Sequence, residues 1–239
     1  MKKTIVTTLV VILLTLGLSV GCLGGGVTGS GNPESETFNF SDFTKVGVHN
    51  GFQVEITKSS TFSVEITTDD NVHEYIKVTK SGKTLEIGLE FGRVYSSVTL
   101  IAKITMPDLY ELYLAGGSGA SITGFSSSHD FEVELYGGSS IEGDITAGDA
   151  EFDLSGGSRV VLAGSADDLD VEGSGSSQLD LEAFSVNNAD VELSGGSKAT
   201  VNVNGTLDAN LSGGSKVLYV GEPTLDDIDL SGGSTVSKK

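Results

Sequence analysis

Phe131-Glu132-Val133-Glu134-Leu135-Tyr136-Gly137-Gly138-Ser139-Ser140-Ile141 is the stretch that decides how this chain folds. Apolar and charged side chains alternate from Phe131 to Leu135, two glycines interrupt them, and an apolar residue returns at Ile141. A period of two marks a strand whose side chains point to opposite faces in turn. A glycine pair between two such runs marks a sharp corner.

That stretch is one copy of many. Gly-Gly-Ser starts at Gly116, Gly137, Gly156, Gly195, Gly213 and Gly232, and a variant with Ser176 in second place starts at Gly175. The spacings are 21, 19, 19, 20, 18 and 19 residues. A period of that length means a solenoid, and the alternation makes it a β-solenoid. The expected fold is all-β: a single-stranded parallel β-helix with coils of about 19–20 residues and Gly-Gly-Ser corners.

Counting from the first glycine as zero, position −4 holds Leu112, Val133, Phe152, Val171, Val191, Ala209 and Ile228. Positions −2 and +4 are apolar too, with Gly173 the exception, so even positions should face the core. The third corner residue shares that parity, so the seven serines from Ser118 to Ser234 are expected to form an internal hydrogen-bonded ladder. A catalytic serine needs a base beside it, and no histidine lies in any of these corners.

Odd positions face out. Position −5 is acidic in all seven coils: Glu111, Glu132, Glu151, Asp170, Asp190, Asp208 and Asp227. Position −3 adds Glu134, Asp153, Glu172, Glu192 and Asp229, with Tyr113 and Asn210 in the remaining coils. Parallel stacking would set these carboxylates about 4.8 Å apart in two ladders. Such ladders keep a surface soluble, and they could also collect a weakly bound divalent cation such as Ca²⁺. The candidate ligands are Glu151, Asp153, Asp170, Glu172, Asp190 and Glu192 on the middle coils. Position +3 carries Arg159, Gln178, Lys198 and Lys216, a weakly basic stripe on the other strand.

Upstream of the repeats the organisation changes. Lys2 and Lys3, the apolar run 5–18 and the small residues Ser19-Val20-Gly21 read as a signal peptide over 1–21. Cys22 follows at once and is the only cysteine, which excludes an intrachain disulfide and a thiolate metal cluster. Its place resembles the lipobox of prokaryotic lipoproteins, with Ser19 where a leucine is usual, and that departure also fits simple secretion. Residues 22–37, rich in Gly and Ser, read as a lipidatable cysteine and flexible tether. Residues 38–106 alternate without the glycine signature and read as irregular coils plus a cap, and 107–239 as regular repeats. Removing Lys2 and Lys3 takes the formal net charge from −19 to −21, which excludes nucleic acid as a partner.

Phe43-Thr44-Lys45-Val46-Gly47-Val48, Gly51-Phe52-Gln53-Val54-Glu55-Ile56, Leu85-Glu86-Ile87 and Met106-Pro107-Asp108-Leu109-Tyr110-Glu111-Leu112, leading into the Gly-Gly-Ser corners, resemble the head GIN domain family of auto-transporter adhesins. The resemblance covers roughly residues 38–237. It implies a right-handed parallel β-helix shaped like the pectin lyases without their catalytic residues, and a role in cell-surface adhesion. No translocator barrel follows Lys239, so attachment is expected at the N-terminus.

No catalytic constellation emerges. His49, His73 and His129 share no ligand spacing, and regular solvent-facing carboxylates offer no single general acid. Asp167-Asp168 and Asp226-Asp227 fall at coil corners and read as turn residues. Three readings follow: a non-enzymatic adhesive or structural surface lipoprotein, a glycan-binding or glycan-acting β-helix, and a cation-binding envelope protein. All three place the chain outside the cell, lipid-anchored through Cys22 or secreted, with a membrane, a glycan or a surface protein as partner.

Overall fold

The computed structural model describes residues 25–239, so the signal peptide and Cys22 lie outside the described residues. The chain winds as stacked parallel coils, each contributing one strand to each of two long sheets. In the repeats the first sheet takes Glu111–Leu114, Phe131–Leu135, Ala150–Leu154, Asp168–Gly173, Asn188–Leu193, Thr206–Leu211 and Thr224–Leu230. The second takes Gly119–Ser126, Ser140–Thr146, Arg159–Ser165, Gln178–Val186, Lys198–Val203, Lys216–Val220 and Thr235–Lys238. Register follows the repeat: Leu112, Val133, Phe152, Val171, Val191 and Ala209 are consecutive partners and all are buried. Core and surface are therefore sorted by the parity of each strand up to the last coil, whose Leu225 and Leu230 are exposed. The molecule is one long hydrophobic column between two sheets.

The corners explain the glycines. Both residues of the pair have positive φ, for example 67° at Gly156 and 79° at Gly157. Only the first also meets a neighbouring coil: a Cβ on Gly156 would lie 3.0 Å from the Gly137 nitrogen, whereas one on Gly157 would meet nothing. The first glycine thus serves conformation and close approach, the second conformation alone. The variant corner obeys this, because its serine, Ser176 at φ 70°, stands in the second place.

The serines are buried as parity requires, but they do not form a serine-to-serine ladder. Each hydroxyl from Ser118 to Ser215 donates to the carbonyl three residues earlier in its own coil, as Ser139 does to Tyr136 at 2.8 Å. They close their own corners because a left-handed turn brings that carbonyl back within reach, and backbone bonds already join the coils.

The N-terminal end departs from sequential stacking. Lys45–Val48 and Gln53–Lys58 form a coil turned by Asn50 (φ 66°) and Gly51 (φ 83°), the same corner in different residues. Thr84–Leu89 and Leu100–Met106 form another. The earlier coil lies between the later one and the first repeat, so order in space inverts order in sequence. Antiparallel strands Pro33–Phe38, Ser63–Asp69 and Ile76–Ser81 finish this end. Among the described residues the one helical turn is His73–Tyr75, and no helix is long and apolar enough to cross a membrane.

The tether expected over 22–37 is shorter than its composition suggests. Val27–Thr28 pairs with Tyr95–Ser96, and Pro33–Phe38 is a full strand on Ser63–Asp69. Asp69 fixes the turn between them: its carboxylate accepts backbone N–H bonds from Gly31 and Thr99, each at 2.7 Å. Glycine and serine here serve a strap that hugs a surface, a role that composition does not distinguish from a free linker.

Candidate functional site

The outward face of the first sheet collects the features that the repeats share. The −5 row runs Lys45, Glu111, Glu132, Glu151, Asp170, Asp190 and Asp208, one residue per coil in register. Beside it the −3 row runs Gly47, Tyr113, Glu134, Asp153, Glu172, Glu192 and Asn210. Like charges stacked at strand spacing raise one another's pKa. Burial, then Glu111, Glu151 and Glu134, pushes the Glu132 carboxyl above its usual range. Burial, then Asp170, Glu192 and Asp208, does the same to Asp190. Lys45 closes the row at one end through an ion pair with Glu111, and that bond raises the lysine's own pKa.

A third row at position −7 has a structural task. Asp130 accepts the Asp149 N–H at 3.0 Å, Asp149 that of Asp168 at 3.1 Å, and Asn188 that of Thr206 at 3.0 Å. Asp168 receives the Asn188 amide at 2.8 Å. Asp168 opens its strand at a corner, whereas Asp227, expected at a corner, lies inside the strand Thr224–Leu230 and donates its N–H to Asp208 at 2.9 Å.

The proposed cation ligands Glu151, Asp153, Asp170, Glu172, Asp190 and Glu192 do line this face, but they run in parallel and do not converge. Among the described residues no group of three or more His, Cys, Asp and Glu side chains could hold a metal ion. Asp153 has another occupation: Tyr136 donates its hydroxyl to it at 2.7 Å and to Glu134 at 3.1 Å. Those bonds, Asp153 first, push the tyrosine's pKa upward.

Aromatic rings gather where the acidic rows begin. His49 lies 5.2 Å from Tyr113, and Tyr113 lies 5.6 Å from Tyr136, which makes a row across three successive coils. Tyr110 and His129 lie 4.5 Å apart nearby, tilted by 42°. A groove of ≈ 750 Å³ runs from Lys45, Tyr110 and His129 along the −5 row to Asp208. The described face is a long open trough, acidic along its length and aromatic at one end.

These features, on this fold, match one family model, described as "Putative auto-transporter adhesin, head GIN domain", over residues 42–223. The chain belongs to this family. No curated protein matches it. Among solved structures, a "putative adhesin" from Bacteroides fragilis NCTC 9343 is similar at TM-score 0.82 and 17% identity, covering 90% of this chain and 100% of its own. A "putative adhesin" from Parabacteroides merdae ATCC 43184 gives 0.77 and 19%, with coverages of 90% and 99%. A "putative lipid binding protein" from Parabacteroides distasonis ATCC 8503 gives 0.72 and 18%, with 89% and 99%. At these identities the likeness is one of fold.

In this head GIN domain, Tyr113 and Tyr136 are legible as outward residues from their repeat positions. His49, Tyr110 and His129 are not, because they precede the repeats or sit in the connection before a strand. Only the inverted coil order brings His49 beside Tyr113. Recognising Asn50-Gly51 as a corner equivalent to Gly-Gly would have placed His49 one position before it, where Tyr136 stands in its own coil.

Proposed function

We propose that this head GIN domain is a non-enzymatic adhesion module, exported, held at the cell surface through Cys22, and binding through the trough on its first sheet. The observation that carries the reading is the trough itself: an open, regular acidic face with no convergent acid, base or nucleophile. Extended contact suits adhesion, whereas catalysis needs one residue made different from its neighbours. Family membership supports the adhesive role.

A second, finer reading is that the ligand is a glycan, and the His49–Tyr113–Tyr136 row favours it. Half-exposed rings in series can offer edges and faces to a sugar while adjacent carboxylates accept hydroxyl donors. An array of surface glycans and matrix proteins tests both. Glycan binding that falls at least tenfold in Tyr113→Ala supports the finer reading. Protein binding insensitive to Tyr113→Ala supports adhesion alone, and turnover of any arrayed glycan contradicts the non-enzymatic reading. Ca²⁺ bridging is tested by a melt at fixed ionic strength: a rise lost when Glu151, Asp153, Asp170 and Glu172 become amides supports it, and an equal rise with Na⁺ opposes it.

A further inference from the structure

The N-terminal end carries an apolar tip that the adhesion reading leaves unused. In the loop 90–94, Phe91 is 101% exposed and Val94 59%. A fully exposed phenylalanine beside an exposed valine leaves apolar area in water that insertion into a bilayer would remove. The loop is not slack. Glu90 donates its N–H to the Tyr75 carbonyl at 2.8 Å, and Tyr95 donates its hydroxyl to the Glu90 carbonyl at 3.0 Å. Arg93 sits 4.6 Å over the Tyr75 ring and 3.4 Å from the Glu90 carboxylate. Gly92, at φ 86°, makes the bend that holds Phe91 outward.

The strap that follows the N-terminal segment is fastened to this same loop. Val27 donates its N–H to the Val94 carbonyl at 2.8 Å, and Gly29 to that of Ser96 at 3.1 Å. Asn71 adds a bond to Thr28 and one from Ser30, and Asp69 holds Gly31. Chain position 26 is thereby fixed beside Val94, and Cys22 is only four residues earlier. Four residues span at most about 14 Å when fully extended. A membrane entered by an acyl chain on Cys22 would therefore lie within about that distance of Val94, on the same loop that carries Phe91.

We infer that Phe91 and Val94 form a second contact with the bilayer that receives the lipid on Cys22, so that the domain is held at two points and its trough faces a set direction. The inference rests on the anchoring part of the proposed function. Two weak signals hold a protein to a membrane where one is marginal, and aromatic side chains favour the interfacial zone. The formal charge of −21 left without Lys2 and Lys3 selects a zwitterionic bilayer over an anionic one.

The chain has no tryptophan, so Phe91→Trp installs a single fluorescent reporter. The full-length lipidated protein is reconstituted in phosphatidylcholine vesicles carrying a lipid-attached quencher, with Leu225→Trp on the last coil as the distant control. Quenching and a blue shift at position 91, absent at 225, are expected, and Phe91→Ser with Val94→Ser should lower vesicle retention by about tenfold. Vesicle-bound protein whose position 91 is no more quenched than 225 overturns the inference and leaves the anchor standing. A Cys22 without an acyl mass, in protein that stays off the vesicles, overturns the anchoring reading and the inference together. A melt matching that of the wild type verifies that each variant is folded.

Discussion

In the repeats each coil rests on the one before it, and its carboxylates look across at carboxylates. At the N-terminal end an early coil is clasped between later ones, and the buried carboxylate of Asp69 is surrounded by N–H donors instead. The same chemical group is thus under opposite pressures in two parts of one fold. Stacked and half-exposed, Glu132 and Asp190 are driven toward their protonated forms. Donated to by the Thr99 and Gly31 backbones, Asp69 is held below its usual value. The repeats gain order from parity and corners despite their charge, whereas the cap uses its charge as a clamp.

The widest contrast is expected between an inward and an outward position of two neighbouring repeat strands. Leu154 is 1% exposed, so Leu154→Asp should cost roughly 3–5 kcal/mol, whereas exposed Glu172→Gln should stay within about 0.5 kcal/mol. Equal shifts in melting temperature would break the parity on which the fold rests. Asp153 is not a neutral control, because it holds the Tyr136 hydroxyl.

A smaller contrast lies inside one corner. Gly157→Ala should cost about 1–2 kcal/mol for a side chain at positive φ. Gly156→Ala should cost more, because its Cβ would also press on the coil beneath. Denaturant melts that rank the two variants the other way would remove the two-role account of the corner.

The smallest effect is local and sharpens the comparison through pH. Glu132 and Asp190 have raised folded pKa values, so their favourable contribution is complete below their usual values of 4.5 and 3.8 and is lost as pH rises through the folded ones. Asp69 is depressed, so its contribution is present above 3.8 and is lost as pH falls through a lower value. Hydrogen exchange should therefore show the repeats tightening on mild acidification and residues 27–32 and 95–99 opening only in stronger acid. Asp69→Asn should open that strap at neutral pH. Protection there unchanged by the substitution would mean the clamp is not what holds it.

How far the sequence could be read follows from the same contrast. Where every coil repeats its neighbours, one strand's parity predicts the burial of all, and the acidic rows could be placed residue by residue. The cap could not be read so far. Asn50-Gly51 performs the glycine pair's task with a different residue, and the coil of Lys45 is separated from its stacking partners by long stretches of chain. The strap resembles a linker in composition because its order comes from Asp69 and Asn71, some forty residues away. At the site, carboxylate ladders were visible and the aromatic row was half visible, since only the repeats carry a countable register.

One distance tests the central claim, that each coil sets one −5 carboxylate directly over the next. Spin labels on cysteines replacing Glu132 and Asp208, in a Cys22→Ser chain so that no other thiol competes, stand four coils apart. At about 4.8 Å per coil their attachment points should be roughly 19 Å apart, and pulsed dipolar spectroscopy should return a narrow distribution near that value. A broad distribution, or one centred well beyond about 30 Å, would contradict the stacked register.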